Sequence, residues 1–167
     1  MKRTNSRIVF LLTLSSLAIF SLFASTAIAQ EDDAEKTTEK SLYERLGGVY
    51  SIASVVDDLI ERLLVNDILN ANPLINEART RVPKAGLKYR LTSLMCQLAG
   101  GPEEYHGRNM KDSHAHLNIT ENEWDAMVAE FVTTLNHFKV PEKEQGELLA
   151  LVAPTKGDIV TATPESD

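Results

Sequence analysis

The residues of this chain best suited to chemistry are its histidines, His106, His114, His116 and His137. An imidazole can ligate a metal or move a proton near neutral pH, depending on what its second nitrogen touches. Three of the four fall in one stretch, Gly100 to Ile119, GGPEEYHGRNMKDSHAHLNI. The spacing predicts a helix over Arg108 to Leu117 that carries Met110, His114 and Leu117 on one face, at i, i+4 and i+7. His114 then points toward the core, while His116 turns away by roughly 120° toward Asp112. At most one of the two looks inward, and that one, His114, is the candidate ligand. A pair at i, i+2 diverges too far to hold a bare metal ion between them. Taken alone, an inward histidine is more often a satisfied core residue than a ligand.

The surrounding motifs decide between those readings. GGPEEYHGRNMKDSHAHLNIT, together with SLYERLGG at Ser41 to Gly48, resembles the truncated haemoglobins, and most of all their group I members. The resemblance spans about residues 41 to 160. It implies an all-α fold, a truncated globin in which a two-over-two helical sandwich encloses haem. It also implies a b-type haem, with His114 binding the iron from the proximal side, and a diatomic gas (oxygen, NO or CO) as ligand. Met110, Met127 and Phe131 are implied contacts of the haem.

On the side opposite His114 the chain departs from the family. Where members commonly place a hydrogen-bonding tyrosine, the matching position is Ile60. Where they place glutamine or other polar groups, the matching positions are Leu87 and Leu91. Tyr50 lies ten positions too early to substitute, and Tyr89, Arg90 and Gln97 fall off the apolar stripe, as surface residues do. Leu74 is the expected apolar contact where globins usually have phenylalanine. A neutral hydrogen bond to a bound gas is worth about 1 kcal/mol, so its loss changes retention roughly tenfold. The resemblance therefore implies a gas binder with fast oxygen release. An enzyme of the same fold, a nitric oxide dioxygenase or a peroxidase, would also require an electron donor and, for peroxidase chemistry, a distal acid-base group. The remaining alternative is an apo helical module that binds a partner.

The elements that must position these residues read as helices throughout. Leu42, Tyr43 and Leu46 mark a short turn ended by Gly47-Gly48, and Val49, Ile52, Val56, Ile60 and Leu63 follow at helical spacing. Asn66 to Ala78 reads as a turn-rich cover. Pro83 opens the helix carrying Leu87, Leu91, Leu94, Met95 and Leu98. Thr120 with Glu123 forms a capping box, with Ile119 and Trp124 at the staple positions, and the following stripe runs through Met127, Phe131 and Leu135 to Phe138. His137 suits the negative end of that helix. Pro154 should split the last helix, over residues 141 to 160, into two pieces. No dinucleotide fingerprint, nucleophile elbow or P-loop is present.

Residues 1–29 read as a secretory signal peptide, with Lys2, Arg3 and Arg7 ahead of an apolar run and Ala27-Ile28-Ala29 at the cleavage site. The expectation is an exported chain, periplasmic in a Gram-negative cell, with a polar linker at 30–40, a globin domain at 41–160 and a disordered tail at 161–167. Cleavage removes three basic residues and no acid, leaving the chain still more acidic than its net charge of −7. That balance argues against nucleic acid and anionic membrane surfaces as partners. Cys96 is the only cysteine, which rules out an intramolecular disulfide and the Cys-x-x-Cys-His attachment of c-type haem. It reads equally as a packed thiol or a link between chains.

Overall fold

The computed structural model describes residues 39–162. The expected signal peptide, nearly all of the linker and the end of the tail lie outside those residues. Among the described residues the structure is helical: α1 (Leu42–Arg45), α2 (Gly48–Val65), α3 (Asp67–Asn70), α4 (Pro73–Arg81), α5 (Lys84–Leu98), α6 (Met110–His114), α7 (Glu121–His137), α8 (Glu142–Val152), a 3₁₀ turn at Ala153–Thr155, and α9 (Lys156–Ile159). One isolated parallel bridge joins Ile119 to Val160.

The core forms where the three long helices meet. α2 packs on both α5 and α7, burying Ile52, Val56, Leu59 and Ile60 against Met95, Cys96, Phe131 and Leu135, with Leu148 of α8 closing the cluster. Each such aliphatic or aromatic side chain contributes about 1.5–3 kcal/mol by leaving water, so this layer is the main source of stability. Two polar ties reinforce it. Thr134, fully buried, donates to Asp58 across the α2–α7 interface at 3.1 Å. Arg45 reaches from α1 to Glu144 of α8 at 2.5 Å and also pairs with Glu147.

Helix boundaries follow local chemistry. Ser41 with Glu44 and Thr120 with Glu123 are both complete capping boxes. Gly47 and Gly48 take φ of 90° and 77°, which lets the chain turn directly from α1 into α2. Ile119 and Trp124 are both buried at the staple positions, and Pro154 splits the last helix as its chemistry requires.

Several expectations are corrected. Asn66 to Ala78 is not a run of turns: Asn66 and Asn72 cap α3 and α4 with their side chains, so residues that look like turn formers start helices. The helix expected over Arg108 to Leu117 is only Met110–His114, because Asn109 caps it at one end and the Leu117 amide turns back onto the His114 carbonyl at the other. Phe138 lies past the end of α7 and is 39% exposed. The order also runs into the expected tail, where the Thr161 and Ala162 amides both donate to the Ile119 carbonyl at 3.0 Å.

Candidate functional site

A cavity of about 910 Å³ lies among the helices, within the roughly 300–1,000 Å³ typical of small-molecule and cofactor sites. Its walls are mostly aliphatic and aromatic. Ile60 of α2, Leu87 and Leu91 of α5, Met110 and His114 of α6, and Met127 and Phe131 of α7 all line it. The residues singled out from the sequence as site candidates are therefore brought together on one surface. Val82, Leu87 and Leu98, large apolar side chains left 37–40% exposed, are part of the same lining.

His114 is the group in this cavity equipped for chemistry. Asn109 accepts from the Asp112 amide at 2.7 Å and so starts α6 at Met110. One turn later, His114 Nδ1 lies 2.8 Å from the Met110 carbonyl. A carbonyl oxygen only accepts, so Nδ1 carries the proton and Nε2 keeps its lone pair. Burial holds the imidazole below the ordinary histidine pKa, the hydrogen bond to Met110 opposes that shift, and nearby His116 adds to it. The result is a neutral, oriented imidazole, the form that ligates metal.

The short helix needs outside support, because five residues cannot hold themselves helical in water. α9 packs directly on α6, and the Asn72 side chain donates to the Leu117 carbonyl at 3.0 Å, tying the histidine segment to the start of α4. His116 is exposed, yet it too borders the cavity, so the two histidines divide as a half-buried and a rim residue. His106 is exposed beside Glu104, and His137 is exposed at the end of α7 with its ring edge-on to Phe138. Among the described residues no cluster of three His, Cys, Asp or Glu side chains could hold a bare metal ion.

The opposite wall is aliphatic. Ile60 is 4% exposed and, like Leu87 and Leu91, offers no hydrogen-bond donor. Tyr50 and Tyr89, 87% and 72% exposed, face away from the cavity, and Gln97 is occupied in accepting from the Tyr105 amide at 2.6 Å. Leu74 is corrected: it sits outside the cavity on the surface, and Ile75 takes the inward place. With Pro73 as the first residue of α4, Ile75, Ala78, Arg79 and Val82 share the inward face at i, i+3, i+4 and i+7, and Leu74 falls beside it.

Beyond the cavity, the Gly-Gly-Pro turn has its own cluster. Tyr43 Oη donates to Glu103 at 3.0 Å and accepts from the Val49 amide at 3.2 Å. A Cβ on Gly101 would stand 2.4 Å from the Tyr43 ring, so only glycine permits this approach. Cys96 is fully buried here, and burial, with Glu103 beside it, pushes its thiol up to about 11. A thiol so placed is a packed core residue, and the link between chains is not supported.

Comparison with known proteins now bears on this geometry. The sequence profile of the bacterial-like globins matches residues 41–161. The chain belongs to the group 1 truncated haemoglobins. A group 1 truncated hemoglobin of Synechocystis is 32% identical over 123 residues, covering 70% of this chain and 90% of the relative. That of Tetrahymena thermophila is 23% identical, covering 72% and 94%. In structure, the 2/2 hemoglobin of a Synechococcus species, solved in the cyanomet state with covalently attached heme, superposes with a TM-score of 0.64 at 24% identity over 72% of this chain and 98% of that one. The Fe(III) form from Tetrahymena pyriformis gives 0.60 at 22% identity. The fold is thus the 2/2 globin fold expected from the sequence.

Truncated haemoglobins imply haem, and the residues present fit such a group. The cavity offers a broad apolar enclosure, an imidazole with one nitrogen committed and the other available, and a cationic border. That border was missed in the sequence: Arg79, Arg81 and Arg108 line the cavity, as does Arg90, which the stripe had assigned to the surface. Arg79 lies on the inward face of α4, whereas Arg81 and Arg90 lie off the inward faces of their helices, and arginine stems are long enough to reach a cavity edge from there, so helical periodicity alone does not find those two.

Proposed function

We propose that this truncated haemoglobin binds diatomic gases reversibly at a b-type haem, with His114 as the proximal ligand. The observation that carries the reading is the hydrogen bond from His114 Nδ1 to the Met110 carbonyl, which leaves Nε2 as the free lone pair of a cavity-lining imidazole. Haem, when bound, supplies an iron position open to a small gas. The protein's share is to hold the imidazole neutral, exclude water with aliphatic walls, and set how long the gas stays.

Retention is where this chain differs from a tight oxygen binder. Ile60, Leu87 and Leu91 donate nothing to a ligand, so oxygen loses about 1 kcal/mol of support relative to a wall with one neutral donor. Carbon monoxide and nitric oxide depend less on such a donor and are the favoured ligands. The same aliphatic wall provides no acid-base group for peroxidase chemistry. Cys96 is buried and alone, which supports haem held by coordination and packing. The export reading rests on the pattern of Met1 to Ala29, and N-terminal sequencing of the secreted chain checks it.

The test is the absorption spectrum of the protein with haem added, for the wild type and for His114→Ala and His116→Ala. A sharp haem band lost or shifted in His114→Ala and retained in His116→Ala is the expected result. Loss in His116→Ala alone would overturn the ligand assignment, and no band in the wild type would overturn the function.

A further inference from the structure

We propose that the stretch at residues 156–162 is a clamp that positions His114, fixing the tilt of the imidazole and with it the strength of its bond to the iron. This rests on the haem reading above. The segment that carries His114 cannot hold itself. α6 has five residues, too few to stay helical alone in water. The loop after it passes through Asn118 at φ 48°, a left-handed conformation that few residues other than glycine adopt. The hydrogen bond to Met110 sets the rotation of the imidazole ring, but something else must set where the helix carrying it stands.

Beyond His114 the loop is tied down at three successive carbonyls. The Leu117 amide donates to the His114 carbonyl at 2.8 Å, and the Asn72 side chain donates to the Leu117 carbonyl at 3.0 Å. The Thr161 and Ala162 amides then both donate to the Ile119 carbonyl at 3.0 Å. A carbonyl oxygen has two lone pairs, so residues 161 and 162 together fill both acceptor positions of Ile119, itself buried. A parallel bridge joins Val160 to the same residue, and Lys156 pairs with Glu121, the first residue of α7. Residues 156–162 thus grip the chain on the side of Asn118 away from His114, while Asn72 grips it on the near side.

The path of the chain explains how the clamp reaches its place. α8 packs on α1, whereas α9 packs on α6. Pro154 makes the difference by ending α8 in a 3₁₀ turn. The turn and α9 bring Thr155 and Ile159 to the same cavity lining that holds His114. The Thr155 hydroxyl is spent on the Val152 carbonyl at 2.7 Å, so this part of the lining offers packing and no second ligand. An imidazole on a helix fastened in this way keeps one orientation, and a pre-oriented ligand binds metal more strongly than one free to tilt.

The experiment compares the full chain with Thr161→Pro, Ala162→Pro and the double variant, each of which deletes an amide donor. Val160 is already extended, at φ −77° and ψ 108°, as the residue before a proline should be. In the apoprotein, amide hydrogen exchange over residues 110–119 should quicken about tenfold in the double variant, with α2 and α7 unchanged. With haem added and reduced, the iron–histidine stretching band in the Raman spectrum should broaden. Haem loss to an excess of a haem-scavenging protein should accelerate about fivefold. Thr161→Ala, which keeps the amide, should restore wild-type behaviour in all three. Wild-type behaviour in the double variant would overturn the proposal, as would exchange that quickens equally in α2 and α7. Faster local exchange with an unmoved Raman band would also overturn it, leaving only a structural fastening, and in each of these cases the haem reading stands. A wild type that takes up no haem would overturn that reading and the clamp's role with it.

Discussion

The wall built by α2 and α5 and the wall that carries His114 are held in different ways. α2 is an 18-residue helix and α5 a 15-residue one, packed on each other along their lengths and anchored in the common core. α6 has five residues, none of them buried, and keeps its place through a cap from Asn109, the strap from Asn72 and the packing of α9. One wall therefore carries the stability of the domain and, in the gas-binding reading proposed above, sets ligand retention passively, by what its aliphatic side chains lack. The other carries His114, the proposed ligand, on a segment of low intrinsic stability, so its geometry depends on a few named hydrogen bonds. Stability and ligation should separate experimentally.

The largest effect belongs to the common core. Leu135→Ala removes a fully buried side chain and should cost about 2–5 kcal/mol of global stability by leaving a cavity, read as a lower midpoint in urea unfolding. If haem affinity fell as steeply as stability in a variant on the proximal segment, the separation drawn above would break.

Next in size are changes in retention and in the proximal supports. Ile60→Tyr places a hydroxyl on the α2 wall and should slow oxygen release roughly tenfold in flash photolysis, with carbon monoxide release changing much less. Asn109→Ala removes the cap of α6 and should cost about 1 kcal/mol locally. The effect should appear as faster haem loss with little movement of the apoprotein's urea midpoint. A full kcal/mol appearing in that midpoint would mean α6 folds with the core.

The legible part of the molecule is the part with strong local chemistry. The Thr120–Glu123 box, the Gly47-Gly48 turn and the α2 and α5 stripes are each written in a few adjacent residues, and they place the main helices. His114 stood out because the segment around it matches a known family, and helical spacing faced it inward. α3 and α4 were hidden because asparagine serves both turns and helix caps, and only the tertiary strap from Asn72 to Leu117 shows which role applies. The cationic border was hidden for another reason: Arg90 and Arg108 reach the cavity by side-chain length, which a helical wheel discards. The burial of Cys96 depends on the core cluster it joins, with Leu42, Ile52 and Leu135 far from it along the chain.

The smallest predicted effect concerns acid. Asp58 ties α2 to α7 by accepting from Thr134 at 3.1 Å, and within α2 it accepts from Arg62 at 2.6 Å. The Arg62 hydrogen bond, with Thr134 adding to it, holds the Asp58 carboxyl below its ordinary value, and desolvation opposes the shift. A depressed folded-state pKa means that the unfolded chain binds the proton more readily. The stabilisation is therefore complete above the ordinary carboxyl range, and it is lost as pH falls through the lowered value. Asp58 is partly exposed, so solvent screens the pair and the contribution is at most about 1 kcal/mol. Asp58→Asn should flatten the acid limb of the apoprotein's stability curve below about pH 4 and leave haem loss unchanged, since the residue does not line the cavity. Faster haem loss in Asp58→Asn would show that the α2–α7 interface reaches the proximal wall, against the separation that the two kinds of support imply.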